Sequence, residues 1–410
     1  MKPETQNPKP ETTFPAGFSA AGIACGLKQS GKPDVALIVS DRPCAAAATF
    51  TTNVFAAAPV IFDRDLLART RGNGIRAVVI NAGNANAVTG EQGLRDAAEM
   101  ARATETALNL PADSVFVMST GVIGHPLPMD TVRAGISAAA KQVSPVGFSA
   151  AAEAIMTTDT VPKTVFLQME LGGRTISLAG MAKGSGMIHP NMATMLAVIT
   201  TDAPVAAADL QKSLRRAVEI SFNRISVDGD TSTNDTVLVL ANGAAGGENL
   251  RGDELVQFAG ALENVCVRLA KKIARDGEGA TKLVEIRVTG AQSETDAVRA
   301  AETIATSPLS KTALFGNDPN WGRFLAAVGR SGAQVDPARA SLWLAAGDTR
   351  MQLVGAGQPL AFDAAAMSVA LAANTDIFIT VDLGIGTAEA VYWTCDLSYK
   401  YVEINAEYHT

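Results

Sequence analysis

Apolar residues in this chain recur in two patterns, one typical of helices and one typical of strands. A spacing of three and four residues extends over residues 208–222 and 253–275, and a similar pattern covers residues 94–108. Ala-rich helical pieces cover residues 132–154, and Ser293 with Asp296 has the form of a capping pair for a further helix. These patterns predict helices that each bury one face.

Short apolar runs between turn-forming residues predict the strands. They lie in both halves of the chain and are dense in its C-terminal third. The predicted strands cover residues 36–39, 77–80, 114–118, 194–199, 236–240, 376–383, 388–395 and 400–405. Because helices are interspersed with strands that can pair antiparallel, we expect an α+β fold with mixed sheets layered between helices.

The composition is that of a globular protein of 410 residues, 47% of them hydrophobic, which is enough chain for two or three domains. A formal net charge of −7 argues against nucleic acid and against an anionic membrane surface as partners. Residues 1–15 are polar and rich in proline, which predicts a disordered lead and not a signal peptide. No apolar run approaches the ~18 residues of a membrane span. We therefore expect a cytoplasmic protein.

Common metal and cofactor signatures are missing from the sequence. The three histidines lack HExxH spacing and the four cysteines lack CxxC spacing, so we expect no metal site and no redox pair. No GxGxxG, GxxxxGK[ST] or GxSxG motif is present, which argues against a nucleotide cofactor and a serine triad. Residues 228–235 (DGDTSTND) resemble a calcium loop, but Thr233 and Val239 replace its Gly and Glu. We interpret this segment as a turn with a site-lining role.

A nucleophile that needs no cofactor is found in the stretch KGSGMIHPNMATMLAVITTD, from Lys183 to Asp202. Thr194 lies where its Gly- and Pro-containing loop enters an apolar strand. If the Ala193–Thr194 bond were cut, the new α-amino group, with a pKa of ~7.7–8.0, would lie beside the Thr194 hydroxyl and could act as its base. The alternative is an ordinary β-branched residue that opens a core strand.

Three further segments carry groups that suit an acyl-transfer site. The loop STGVIG, residues 119–124, can direct backbone N–H groups and a hydroxyl into a cleft, although it can also be a plain turn. The segment MTTDTVPK, residues 156–163, presents hydroxyls that either cap the chain or bind a polar ligand. Glu278 stands on a tight turn between two glycines, as a ligand-binding carboxylate or as a solvated charge.

Several motifs, taken in order, resemble those of the ornithine acetyltransferase family of arginine biosynthesis. The similarity extends from GFSAAG near the N-terminus to the last residue. The motifs are MSTGVIG (118–124), IMTTDTVPK (155–163), KGSGMIHPNMATML (183–196), NDPNWGR (317–323) and the terminal VEINAEYHT.

This resemblance implies a precursor that cuts itself between Ala193 and Thr194. The products would be an α chain of residues 1–193 and a β chain of residues 194–410, assembled as an α2β2 heterotetramer. It also implies mixed sheets between helices, as in DmpA and the ornithine acetyltransferases. Residue by residue, Thr194 matches the nucleophile, and Thr120 and Gly121 match the oxyanion-stabilising positions. The substrate-binding positions match Thr157, Lys183, Thr194, Glu278, Asn405 and Thr410.

The activity implied by the resemblance is transfer of the acetyl group of N2-acetylornithine to glutamate through an acetyl-threonine intermediate. No cofactor would be needed, and acetyl-CoA would be a second acetyl donor only in a bifunctional member, which the sequence does not decide. From charge alone, Lys183 suits an amino-acid carboxylate and Glu278 suits an ammonium group. The alternative activity is that of a self-cleaving aminopeptidase or amidohydrolase, which would release the acyl group to water.

Overall fold

The computed structural model of the protein describes residues 14–189 and 195–407. Within them the strands and helices follow one another in mixed order. The strands are β1 (Phe18–Ile23), β2 (Val35–Phe50), β3 (Asn73–Asn84), β4 (Val115–Val122), β5 (Lys163–Leu171), β6 (Arg174–Lys183), β7 (Leu196–Thr201), β8 (Ile225–Ser226), β9 (Thr236–Ala241), β10 (Leu283–Ala291), β11 (Ser341–Ala346), β12 (Thr349–Gly355), β13 (Gln358–Pro359), β14 (Asp376–Asp382) and β15 (Ala388–Cys395).

The helices lie between these strands, and most of them bury one face, as the apolar spacing predicts. They are α1 (Ala58–Thr70), α2 (Gly90–Leu108), α3 (Met129–Ala140), α4 (Phe148–Ala154), α5 (Ala207–Glu219), α6 (Gly252–Arg275), α7 (Glu294–Ala305), α8 (Pro308–Phe315), α9 (Trp321–Gly329), α10 (Ala364–Ala373) and α11 (Tyr399–Glu407). A short 3-10 turn covers Phe222–Arg224.

Two mixed sheets organise the chain. The first has the order β4-β3-β2-β9-β7-β6-β5, with β1 pairing β2, and the second has the order β13-β12-β11-β14-β10-β15-β8. In the first sheet β3 and β4 are parallel, as are β7 and β9, and the other pairs are antiparallel. The architecture is therefore α+β with mixed sheets, as expected from the sequence.

The central strands β7 and β9 of the first sheet are buried on both faces, so their side chains divide between separate cores. Along β9, Val237 and Val239 belong to the core that also contains Leu262 of α6, while Leu238 and Leu240 belong to the core that contains Phe148 of α4. Helix α6 contacts β6 of the first sheet and β15 of the second. The second sheet packs its other face against α7, α9 and α10. The result is the layered arrangement of sheets and helices expected from the sequence.

Two predicted elements differ from the structure. The apolar run 36–39 predicts a short strand, but β2 continues to Phe50 because its Ala-rich second half pairs with β9, from Ala45↔Ala241 to Phe50↔Thr236. Tertiary pairing overrides the weak strand preference of alanine there. Residues 400–405 are predicted as a strand and this prediction is wrong, since they lie in helix α11. The Ser398 hydroxyl accepts the Lys400 N–H at 3.1 Å at the start of that helix.

None of the helices in the described part of the chain is both long enough and apolar enough to cross a membrane.

Candidate functional site

One cavity of about 270 Å³ collects residues from five separate parts of the chain. The site residues expected from the sequence that line it are Thr120, Gly121, Thr157, Lys183, Glu278 and Asn405. Its other lining residues are Ile123, Thr158, Gly186 and Met187. A larger surface cavity of about 620 Å³ lies among β2, α1 and α5, but none of the expected site residues lines it. We therefore take the smaller cavity as the candidate active site.

The wall containing Thr120 and Gly121 is built by the close approach of β3 and β4. Gly121 has φ +135°, and a Cβ added to it would lie 2.3 Å from the Gly83 carbonyl carbon, so only glycine fits. The Thr120 hydroxyl is buried, and its oxygen accepts a hydrogen bond of 3.1 Å from Lys183 Nζ. Because that lone pair is occupied by a cationic donor, the hydroxyl hydrogen of Thr120 is free to donate into the cavity.

Lys183 is 3% exposed, and burial lowers its pKa, while the nearby carboxylate of Asp159 acts in the opposite direction. Burial alone would raise the pKa of Asp159, but the charges of Lys183 and Lys163 and the Gly184 N–H at 2.7 Å lower it to about 2. Asp159 is therefore an anion that sits among two buried lysines. Lys163 Nζ also donates to Asp276 at the end of α6.

The same two aspartates hold the segment 157–160 at the cavity. Asp159 Oδ2 accepts the Thr157 N–H at 2.9 Å, and Asp276 Oδ2 accepts the Thr160 N–H at 3.0 Å. The hydroxyl of Thr160 also donates to Asp276. Thr160 is thus engaged in fixing the chain, whereas Thr157 and Thr158 line the cavity and are available to a ligand.

Glu278 faces the loop that follows β6. Its N–H donates to the Ser185 carbonyl at 2.9 Å, and its Oε2 accepts from Asn405 Nδ2 at 2.9 Å. A Cβ added to Gly186 would lie 2.4 Å from the Glu278 carboxyl carbon. The glycine therefore leaves room for the carboxylate, and helix α11 holds it from the other side.

The loop after β6 is held in place, up to residue 189, by side chains of the segment 226–228. Asp228 accepts the N–H groups of Met187 and Ile188, at 2.6 and 2.9 Å. His189 lies beside Ser226, with Nδ1 to Oγ at 3.3 Å, and burial lowers its pKa. His189 does not line the candidate active site.

The chain that resumes at Met195 is anchored at the start of β7. Met195 N–H donates to Asp235 Oδ1 at 2.8 Å, and Leu196 pairs directly with Lys183 on β6. Asp235 is fully buried, and burial raises its pKa well above the ordinary value. The segment 228–235, expected to be a turn with a site-lining role, contributes no lining residue to this cavity. Its Asp228 and Asp235 instead hold the backbone of the segments that flank the cavity.

Of the residues expected at the site, Ala193, Thr194 and Thr410 lie outside the described residues. The other six lie together, as stated above. Sequence analysis did not identify Asp159, Asp235 or Asp276 as supports of the site. The sequence marks these aspartates only by their position within short, polar turn segments. Their hydrogen-bond partners are distant along the chain, so local pattern does not reveal them.

The chain is similar to known proteins of one family over nearly its whole length. The model of the ArgJ family matches residues 19–410. An arginine biosynthesis bifunctional protein ArgJ from Symbiobacterium thermophilum is 56% identical over 97% of this chain and 98% of its own length. A protein of the same name from Gloeobacter violaceus is 49% identical, over 97% of each chain. A mitochondrial relative from Yarrowia lipolytica is 47% identical, over 97% of this chain and 94% of its own.

Two solved structures are also similar in part. A crystal structure of ArgJ from Bacillus halodurans is 42% identical, covering 51% of this chain and 97% of that chain, with a TM-score of 0.48. The ornithine acetyltransferase of Mycobacterium tuberculosis, solved in complex with ornithine, is 40% identical, covering 43% of this chain and 92% of that chain, with a TM-score of 0.38.

Replacing the buried anion tests the network behind Lys183. Asp159→Asn removes the buried carboxylate that Lys163 and Lys183 share and leaves Lys163 with Asp276 alone, so we expect the free energy of unfolding at pH 7 to fall by about 3–5 kcal/mol. The pKa of Asp159 is lowered from 3.8 to about 2 in the folded protein, so its stabilisation is complete above pH 4 and is lost as the pH falls toward 2. The difference between wild type and variant should shrink across that window in urea titrations.

The control is Asp65→Asn, which changes an exposed aspartate of α1. It should alter the free energy of unfolding by no more than about 0.5 kcal/mol at every pH. Equal effects of the two substitutions would contradict the assignment of Asp159 as the central buried anion.

Proposed function

Because this chain belongs to the ArgJ family, which its match over residues 19–410 shows, we propose that it transfers the acetyl group of N2-acetylornithine to glutamate. The products are ornithine and N-acetylglutamate. The observation that carries the proposal is the convergence of Thr120, Gly121, Lys183, Glu278 and Asn405 on one cavity, because these residues come from distant parts of the chain. The cavity is polar and small enough for an acylated amino acid.

The nucleophile in this proposal is Thr194, released as an N-terminal residue by self-cleavage after Ala193. Support comes from the register of the first sheet. Lys183 pairs with Leu196, so residue 194 lies only two positions from a residue paired at the cavity wall. Met195, the next residue, is fixed by Asp235. A freed α-amino group, with an ordinary pKa of about 7.7–8.0, can accept the proton of the Thr194 hydroxyl near neutral pH.

In the first half-reaction, Thr194 Oγ attacks the acetyl carbonyl carbon and its proton passes to the α-amino group. The carbonyl oxygen becomes an oxyanion, to which the Thr120 hydroxyl and the Gly121 N–H donate. One such donor contributes about 3–4 kcal/mol to stabilising a transition state of this kind. The C–N bond then breaks, the proton moves to the leaving nitrogen, and ornithine departs from an acetyl ester on Thr194.

Lys183 acts through Thr120 in this scheme. Its ammonium group donates to Thr120 Oγ1, which orients the hydroxyl hydrogen toward the substrate and places a positive charge close to the oxyanion. Burial lowers the pKa of Lys183, and the negative charge of Asp159 opposes that effect and favours the protonated form. This role is an alternative to direct binding of a substrate carboxylate by Lys183.

Glu278 binds the cationic end of ornithine. Asn405 occupies Oε2 of its carboxylate, so Oε1 is left to face an ammonium group in the cavity. In the second half-reaction the glutamate amine attacks the acetyl ester, and the α-amino group takes a proton from the attacking nitrogen. It passes that proton to Thr194 Oγ as the ester bond breaks, and N-acetylglutamate is released. Because the relatives are named bifunctional, we extend the proposal to acetyl-CoA as a second acetyl donor. The α2β2 assembly of the two chains, which the motif resemblance implies, is part of the same proposal.

Transfer is distinguished from hydrolysis by the acceptor. With N2-acetylornithine alone, the protein should release ornithine once per active site and then stop, because the acetyl ester has no acceptor. Added glutamate should sustain turnover and yield one N-acetylglutamate per ornithine, followed by chromatography. Ornithine release at an equal rate without glutamate would assign the protein to the hydrolases and contradict the proposal. Acetyl-CoA in place of N2-acetylornithine tests the second donor.

Self-processing is tested on a denaturing gel. Wild type should run as two bands, one for the fragment that ends at Ala193 and one for the fragment that begins at Thr194. N-terminal sequencing of the second fragment should read Thr-Met-Leu-Ala. Thr194→Ala should remain a single full-length band and should be inactive, because it has no hydroxyl to attack. Thr106→Ala, which changes an exposed threonine of α2, is the matched control and should behave as wild type. A fragment that begins at any other residue would remove Thr194 as nucleophile.

Gly186 tests the position of the Glu278 carboxylate. The Cβ introduced by Gly186→Ala would displace that carboxylate and break its contact with Asn405, so kcat/KM for N2-acetylornithine should fall about 10- to 100-fold. The melting temperature should change little, because a side-chain carboxylate can move aside. Gly260→Ala, in α6 with open space around the new Cβ, is the control and should keep full activity. An unchanged kcat/KM in Gly186→Ala would argue against a role for Glu278.

A further inference from the structure

Only one of the two carboxyl oxygens of Asp235 has a hydrogen-bond partner in the described part of the chain. Oδ1 accepts the Met195 N–H at 2.8 Å, while Oδ2 is buried and has no hydrogen-bond partner there. The Ser232 N–H and the Thr51 hydroxyl both favour the charged form of Asp235, but the Thr51 hydroxyl donates to the Ser232 carbonyl at 2.7 Å, and neither group hydrogen-bonds to Oδ2. A buried, unpartnered carboxyl oxygen is costly, so its presence calls for a donor.

Cleavage before Thr194 creates a new donor one residue before Met195. The nitrogen of Met195 is separated from the nitrogen of Thr194 only by the Thr194 Cα and carbonyl carbon. The two nitrogens are therefore close enough along the chain for the two oxygens of one carboxyl group to accept from both. Cleavage converts that other nitrogen from an amide with one N–H into an amine with additional donors.

We propose that Asp235 is a positioning residue that holds the α-amino group of Thr194 through Oδ2 while Oδ1 holds the Met195 N–H. The inference rests on the proposed function, because it requires that Thr194 become the N-terminal residue. One carboxyl group would then orient the base with respect to the hydroxyl it must deprotonate. It would also provide the negative charge that a newly formed ammonium group needs at a buried position.

Several charged groups act on the amine in this arrangement. Burial raises the pKa of the Asp235 carboxyl, and a new ammonium group beside it would act in the opposite direction and favour the carboxylate. In that pair Asp235 favours the ammonium form of the amine, as does Glu278 at the cavity, while Lys183 disfavours it. Asp159 lies behind Lys183 and offsets part of its charge. Removing the carboxylate of Asp235 therefore lowers the pKa of the amine.

The test is the pH profile of Asp235→Asn. The amide keeps an oxygen for the Met195 N–H but presents no carboxylate to the amine. Since only the free amine acts as base, the acidic limb of kcat/KM against pH should move down by about one pH unit. The plateau value of kcat should fall at least about 10-fold, because the amine is no longer oriented. A merely structural role would lower both activity and stability without moving the limb.

The chain offers a matched control in Asp63. That residue is also fully buried, with Oδ1 accepting a backbone N–H, from Val117 at 2.9 Å, and with Oδ2 unpartnered in the described part of the chain. It does not line the candidate site. Asp63→Asn should leave the pH profile in place. Melting temperatures of both variants separate folding defects from catalytic ones.

The outcomes are decisive in each direction. If wild type is cleaved at Thr194 but Asp235→Asn shows an unmoved limb and an unchanged kcat, the inference fails and the proposed function stands. An Asp235→Asn protein that folds but stays uncleaved also overturns it, since Asp235 would then act in cleavage. If wild type itself is not cleaved before Thr194, the proposed function fails first. Where Asp235→Asn does not fold, Asp235→Ser, which also lacks the carboxylate, provides the same readout.

Discussion

The candidate site depends on a single buried anion, Asp159, which is surrounded by the charges of Lys163 and Lys183. Each lysine alone would be costly to bury, because a charge loses its hydration in the interior. Asp159 makes both tolerable, and it also fixes the backbone on two sides through the N–H groups of Thr157 and Gly184. The hydroxyl segment at 157–158, the cation at Lys183 and the loop beyond it therefore share one electrostatic anchor.

That anchor explains why the site lies at the end of β6. Lys183 is the last residue of that strand, and its ammonium group donates to Thr120 near the end of β4. Strand β4 is an edge strand of the same sheet, at the opposite side from β6. Asn234 connects Ala85, which follows β3, with Ser119 of β4, since its amide donates to both carbonyls, at 2.6 and 2.8 Å. The donors of the cavity are thus held by rigid strands and by short polar side chains.

Sequence patterns predicted most of the helices because helix formation here follows a strong local periodicity. Helix α6 was predicted over 253–275 and is found as Gly252–Arg275, and the capping role of Ser293 is confirmed by its contact with Asp296 N–H. The strand prediction for residues 400–405 is wrong because apolar and polar residues alternate there only weakly. Ser398, which lies outside this run, accepts the Lys400 N–H at the start of helix α11. The expected cavity residues came from a resemblance of motifs. The supporting aspartates could not be predicted from local pattern, since Lys163 and Asp276 meet only after folding.

The contacts at the candidate site join residues from both sides of position 194, so the site could stay assembled after cleavage at that position. Residues on the N-terminal side of position 194 contribute Thr120, Asp159 and Lys183, and those on its C-terminal side contribute Asp235, Asp276 and Glu278. The two sides are joined by the β6–β7 and β2–β9 pairings and by the contact of Lys163 with Asp276. Cutting one peptide bond would remove none of these. The charges and donors that a cleaved enzyme requires are therefore assembled by folding of the intact chain, and the new amine would be formed among groups already in place. A site built in this way would need no rearrangement between cleavage and catalysis.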